Sequence, residues 1–395
     1  QRSLAAHSTR DAERLPAYAA MLEQAVTVLR ELVLLTPPNA GGGLAELPKL
    51  LRLSRSWTRM TLEQQRDVHE LFTRSAGELL DAWFESDAIK GAYGFDAVVG
   101  NFASPYTPGS AYVLLHHCFG EVNGRKGAWG HAVGGMGAIT QAMAREAARL
   151  GVTIRRDAAV SRVLVDGGRA CGVRLESGEE LPARSVAAAV NPKLLYLSLI
   201  DAGDLDPAFR ARMQRWRCAS ASFRMNVALS ELPRFTALPE PGPQLSAGIL
   251  LAPSLGYLER AYLDARAGGM SREPVVELLI PSTLDGTLAP AGRHVASLFC
   301  QHFAPELSDG RSWDEAEDEA AELIIDTVDR HAPNFRSSLL GRSVLSPLGL
   351  ERKLGLIGGD ISHGALGLDQ LFFARPMLGH ADYRGPLRGR YMCSA

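Results

Sequence analysis

Within residues 10–35, apolar side chains recur at steps of three and four: Leu15, Tyr18, Leu22, Ala25, Leu29 and Leu32. That spacing puts them on one face of an amphipathic helix, with Ser8 or Thr9 placed to cap its start and Pro16 placed to bend it. The run of prolines and glycines over 37–43 breaks the pattern. A second helical stretch begins near Leu44, where Leu44, Leu47, Leu50, Leu51 and Trp57 interleave with Lys49, Arg52, Arg55 and Arg59. A basic amphipathic segment of this kind either lies on an anionic membrane surface or covers a packed face with a solvated one.

From Gly151 the period shortens. Val152 and Ile154, then 159–165, a Gly167-Gly168 turn, 172–175, a Ser177-Gly178 turn and 186–190 read as short strands divided by glycine turns. A helix followed by a β-meander and a return strand is a piece of an α/β nucleotide-binding domain. Further on, strands at 223–229, 275–280 and 295–299 alternate with helices at 255–267 and 314–331, which predicts a mixed α+β substrate domain. The expected division is a helical part at 1–125, a helix-plus-meander segment at 126–192, the α+β domain at 193–345 and a return to the nucleotide-binding domain at 346–395.

Composition narrows the function classes. The 395 residues, 46% hydrophobic and 22% charged, suit a soluble protein of two domains rather than a disordered chain. With 42 basic and 44 acidic residues the net charge is -2, so nothing attracts a phosphate polymer and no nucleic-acid partner is expected. The five cysteines are scattered and form no CxxC pair, which argues against a disulfide framework, a zinc ribbon and dithiol exchange, and fits a reducing, cytoplasmic setting. The apolar stretch 26–35 is broken by Arg30 and Glu31 and is far shorter than the roughly 20 residues of a spanning helix. The first residue is Gln1 and no signal-peptide pattern follows it, so a missing beginning is expected.

No GxSxG elbow, HExxH helix or clustered Cys/His set is present, and no metal is expected. The adjacent His116 and His117 point in different directions on either a strand or a helix and read as core or interface residues. The glycine-rich run 130–137 enters a helix at 138–150 whose apolar face includes Ile139, Met143, Ala147 and Leu150. Its backbone N–H groups and the helix dipole would let a phosphate or a flavin approach; the other reading is a tight turn needed for close packing. Gly135-x-Gly137 has neither the preceding strand nor the third glycine of the dinucleotide fingerprint.

Several long segments together resemble one family. They are Ser104-Pro105-Tyr106-Thr107-Pro108-Gly109-Ser110, Gly127-Ala128-Trp129-Gly130 with Gly134-Gly135-Met136-Gly137, and Gly358-Gly359-Asp360-Ile361-Ser362-His363-Gly364. Leu368-Asp369-Gln370-Leu371-Phe372-Phe373-Ala374-Arg375-Pro376 and Tyr391-Met392-Cys393 extend the match. The chain resembles phytoene desaturase-like FAD oxidoreductases. That resemblance implies an α/β fold: an incomplete glutathione reductase-type FAD-binding domain built from separated segments, plus an α+β substrate domain. It implies FAD contacts at Gly134 and Gly135 near the domain junction, at Val160 through its strand backbone, and at Cys393. It further implies hydride transfer from a C–H bond of a hydrophobic, isoprenoid-like substrate to the flavin. His131 and His363, beside glycine-rich segments, are the candidate titratable residues.

The strand-GxGxxG-helix unit of such a family and the glycine-rich segment after Cys393 do not occur in this sequence. As given, the chain is therefore expected to bind FAD weakly and to be inactive alone. An amine oxidase-type flavoenzyme and a cofactor-free interaction or regulatory protein are the competing expectations.

Overall fold

The computed structural model describes residues 2–33, 35–39 and 41–393. The chain opens with a helical layer: α1 (Arg2–Ala5), α2 (Thr9–Val33), α3 (Leu47–Thr58), α4 (Leu62–Thr73), α5 (Ala76–Trp83), α6 (Asp87–Val98) and the short α7 (His116–Phe119). Of the two candidate caps for α2, Ser8 serves: its Oγ accepts the Asp11 N–H at 3.1 Å. Tyr18, Leu22, Ala25 and Leu29 are buried, as their spacing predicts. Helices α4 and α5 each start with a reciprocal capping box, Thr61 with Gln64 and Ser75 with Glu78, which satisfies N–H groups the helix cannot.

A two-stranded hairpin, β1 (Glu121–Val122) and β2 (Arg125–Lys126), leads through the glycine loop into α8 (Met136–Arg149). The meander β3 (Val160–Asp166), β4 (Arg169–Leu175) and β5 (Glu180–Pro182) is antiparallel in that order. The return strand β6 (Val186–Ala188) then leaves it and pairs in parallel with the last strand of the chain, β12 (Arg390–Met392). Residues 152 and 154 were expected in a strand. They are coil, because no described segment lies alongside to supply a ladder partner. The apolar face of α8 is also unpacked: no residue of that helix is buried, and Ile139, Met143 and Leu150 are exposed.

After α9 (Pro207–Gln214) come β7 (Ser222–Leu229), β8 (Ile249–Leu251), α10 (Leu255–Gly268), β9 (Met270–Leu279), β10 (His294–Phe303), α11 (Trp313–Asp329), α12 (Phe335–Ser338), β11 (Leu339–Leu345) and α13 (Pro347–Leu354). The five strands form one antiparallel sheet in the order β11-β7-β10-β9-β8. Alternation along each strand gives it two faces. Phe223, Met225, Val227, Val276, Leu278, Ala296, Leu298 and Cys300 pack on α11 through Ala316, Ala320, Ile324 and Val328. On the other face, Val275 and Phe299 are covered by α10 and the helical layer through Leu255, Leu258, Ile89 and Phe95. The rest of that face, around β7 and β11, is open.

Strands β8 and β11 escaped the sequence pattern. β8 is three residues long, and β11 is an edge strand with Leu340, Gly341, Arg342 and Ser343 all exposed, so neither carries a buried alternating run.

Candidate functional site

The open face is the floor of a cavity of about 730 Å³ whose lining includes Asn226, Ser297, Ser343, Pro281, Leu288 and Gly135. Gly135 brings the glycine loop to its rim. Gly134 and Gly135 both have left-handed backbones, φ 84° and 78°, which a side chain would strain, and Gly135 is the residue that enters α8.

The loop is anchored by a residue that lies far along the chain. Asp285, buried between β9 and β10 in sequence, accepts the Gly134 N–H at 2.6 Å, the Thr287 N–H at 2.9 Å and the Thr287 hydroxyl at 2.6 Å. The Thr287 hydroxyl first, then the two backbone donors, hold its carboxyl below the usual carboxylate range. A carboxylate therefore already occupies the N–H that a phosphate was expected to approach, and like charge would repel a phosphate there. The rim at Gly135 suits an uncharged ring or a substrate instead. His131 sits beside the same carboxylate, Nε2 to Oδ2 3.9 Å, and is exposed.

Next to this floor stands a cation that touches it through the lining residue Ser297. Arg224 of β7 is half-buried, its guanidinium lies 5.0 Å from the centre of the Phe299 ring, and Nη2 donates to the Ser297 hydroxyl at 3.0 Å. Burial pulls its pKa below the usual arginine value. Opposite Phe299 on β9 is Glu277, whose carboxyl burial pushes up. At the helical side, Nδ1 of His117 lies 3.0 Å from the Asp96 carboxylate, and its ring makes a tilted contact with the exposed Trp129 at 5.2 Å. The side chain of His116 lies outside the described residues.

His363 is held elsewhere. Its carbonyl accepts the Trp216 indole N–H at 3.0 Å, and burial depresses its pKa. Neighbouring Asp360 is fully buried, with Oδ1 accepting the Ser362 N–H at 2.8 Å and Oδ2 without a partner among the described residues; burial raises its carboxyl. Arg375 spans the Trp216 ring at 5.6 Å and donates to the carbonyls of Gln370 and Ser362. Arg375 also lines a smaller cavity of about 180 Å³ with Phe372, Pro376, Tyr383, Met392 and Cys393. Thus Gly134, Gly135 and His131 come together at Asp285, Cys393 joins Arg375, and Val160 stands on the partly exposed start of β3, paired with Leu175. No hydrogen bond or ion pair joins His131 to His363 among the described residues.

Sequence reasoning missed Asp285, Arg224, Asn226 and Ser297. The last three had a signal: polar residues two apart in strands whose alternate residues are apolar must share the opposite face. Asp285 had none, being about 150 residues from the loop it holds.

A family model for flavin containing amine oxidoreductases matches residues 13–222. Pyridine nucleotide-disulfide oxidoreductase domain-containing protein 2 of Rattus norvegicus is 38% identical over 414 aligned residues, covering 100% of this chain and 71% of that protein. The zeta-carotene-forming phytoene desaturase of Myxococcus xanthus is 36% identical over 119 residues, 30% of this chain and 22% of that one. Among solved structures, an oxidoreductase from Methanosarcina mazei superposes with a TM-score of 0.52 at 14% identity, over 85% of this chain and 68% of its own, a likeness of fold.

Proposed function

This chain belongs to the flavin-containing amine oxidoreductase family, an FAD-dependent oxidoreductase with phytoene desaturase-like relatives, and from that premise we propose that it oxidises a C–H bond of a largely apolar substrate in the cavity beside Gly135. Membership of an oxidoreductase family sets aside the expectation of a cofactor-free regulatory protein. The observation that carries the reading is the cavity itself: about 730 Å³, walled by Leu288, Pro281, Val295 and Ala228, with few polar groups, and bounded on one side by a turn that has no Cβ. Ligand sites are typically of this size and make-up.

The residues present fit the ring portion of FAD at that turn and not its diphosphate, since Asp285 takes the Gly134 N–H. Bound FAD would supply hydride acceptance; the chain's own groups would position the substrate and keep water out. In this proposal Gly135 allows close approach, Asp285 fixes the turn, the β3 backbone at Val160 runs past the adenine side and Cys393 lies against the cofactor. The β3–β6 meander and the parallel β6–β12 pair would be separated pieces of a glutathione reductase-type FAD domain.

Gly135→Val tests the cofactor assignment. In a full-length version the expected result is loss of most bound flavin per protein, an effect larger than the loss of stability that a side chain at φ 78° brings, and full flavin retention in a less stable variant would overturn it. Anaerobic bleaching of the flavin by simple primary amines, and by no apolar substrate, would overturn the substrate class while leaving the enzyme class intact.

We also propose weak attachment of α3 to anionic membranes. No described helix is long and apolar enough to cross a membrane. In α3, however, Leu47, Leu50, Leu51 and Trp57 are exposed together with Arg52, Arg55 and Arg59, while Lys49 pairs with Glu46 at 2.9 Å. An uncovered apolar face flanked by cations complements an anionic lipid surface. Co-sedimentation with phosphatidylserine vesicles should fall when the three arginines are neutralised, and unchanged co-sedimentation removes the proposal.

A further inference from the structure

Arg224 presents a charge that no carboxylate of the described residues touches directly. Among the described residues it makes no ion pair, whereas Arg342, opposite Val227 on the α11 side of β11, pairs with Glu322 and Asp318. Glu277 acts on it through space without touching it: Phe299 stands between them on β10, with Arg224 opposite on one side and Glu277 on the other. The guanidinium is stacked on Phe299, which fixes its plane and leaves its edge for ligands. A half-buried cation with no carboxylate in contact is costly, and burial weakens its hold on its proton more than the distant Glu277 restores it. Stacking and one neutral hydroxyl offset only part of that cost.

The surroundings specify what would offset the rest. The arginine fork matches the two oxygens of a carboxylate. Ser297 accepts from Arg224 and so keeps its own hydroxyl proton to donate into the cavity it lines. Asn226 stands next on the same face of β7, opposite Ser297, with an exposed amide. Beyond these the lining turns apolar toward Gly135 through Ala228, Val295 and Leu288.

We infer that the substrate carries a carboxylate at one end, bound by Arg224 with Ser297 and Asn226, and an apolar body that extends toward Gly135. The inference rests on the reading of this cavity as the substrate site. It fixes polarity as well as class: the end near Arg224 is anchored, and the bond to be oxidised lies along the apolar portion.

Decanoate and decanamide, equal in length and differing in charge, are the probes, titrated by calorimetry into the FAD-loaded full chain. Wild type should bind decanoate at least about tenfold more tightly, the increment of one charge-assisted fork. Arg224→Gln should abolish the preference while retaining its flavin and its far-ultraviolet spectrum. Arg224→Lys, which keeps the charge and loses the fork, should retain a reduced preference. Equal binding of the two probes by wild type overturns the assignment, and so does an undiminished preference in either variant. The two readings can fail apart. Arg224-dependent decanoate binding with no anaerobic flavin bleaching by any apolar acid tried would sink the oxidation reading alone. Bleaching by apolar substrates with no carboxylate preference would sink this inference alone.

Discussion

The two faces of the five-stranded sheet are made by the same strands and do opposite work. On one, Phe223, Met225, Leu229, Leu278, Leu298 and Cys300 are fully buried against α11 with no polar side chain among them. On the other, one residue along in each strand, stand Arg224, Asn226, Glu277 and Ser297, half-buried or exposed, with Asn226 and Ser297 lining a cavity. The closed face follows from the hydrophobic effect, and any well-packed apolar set would serve it. The open face retains polar groups that folding does not need, at some expense in stability, which is the mark of a surface shaped by a ligand. A strand can carry both because its side chains alternate with a period of two.

The largest effect should come from breaking the closed face. Leu298→Ala is expected to lower stability by about 2–5 kcal/mol, from lost transfer energy and a residual cavity. Its neighbour Ser297→Ala, on the open face, should change stability by less than about 1 kcal/mol and yet weaken decanoate binding. Urea unfolding and calorimetry on the pair measure the contrast. Equal losses of stability would mean that the two faces are not divided as described.

A second test uses the point where the alternation fails. The β10–β9 register shifts between Gln301 and Phe303, and His302 is fully buried beside Phe102 and Tyr262 with neither ring nitrogen partnered among the described residues. Burial pushes its pKa down to about 3, against an ordinary value of 6.5. Between those values the unfolded chain binds a proton that the native protein does not, so stability must fall as pH drops through that window. The slope is at most about 1.4 kcal/mol per pH unit from this group. His302→Phe should flatten the acid limb of a urea-unfolding series by that amount and leave neutral-pH ligand binding unchanged.

Asp285→Ala should loosen the rim of the open face without melting the closed one. Hydrogen exchange at residues 134–137 is expected to quicken by roughly tenfold, while exchange in β10 stays as in wild type. In the parent protein the same anchor persists at neutral pH. Its carboxyl titrates below the ordinary 3.8, so its contribution is present above that value and is lost only as pH falls through the lower folded-state one. Smallest is the surface term in α3: each of Arg52, Arg55 and Arg59 should add about 1 kcal/mol to anionic-vesicle binding at low salt, with no effect on either face of the sheet.

What the sequence determined by itself is what local periodicity encodes. Tyr18, Leu22, Ala25 and Leu29 announced α2, the glycine turns announced β3 and β4, and the apolar runs announced β7, β9, β10 and α11, because each of these elements shows its buried face as a short-range repeat. The glycine loop and the family were equally readable, as contiguous residues. What only the tertiary structure decided depends on partners distant in the chain. Strand β11 became a strand because β7 lay beside it, 152–155 stayed coil for want of a neighbour, and the leucines of α3 and the apolar face of α8 remained exposed although their spacing is that of packed helices. The site belongs to this second class. Asp285 reaches Gly134 across 151 residues and Arg224 reaches Ser297 across 73, and a contact between such positions leaves no period in the sequence because it is made by the way the sheet and the glycine loop meet in space.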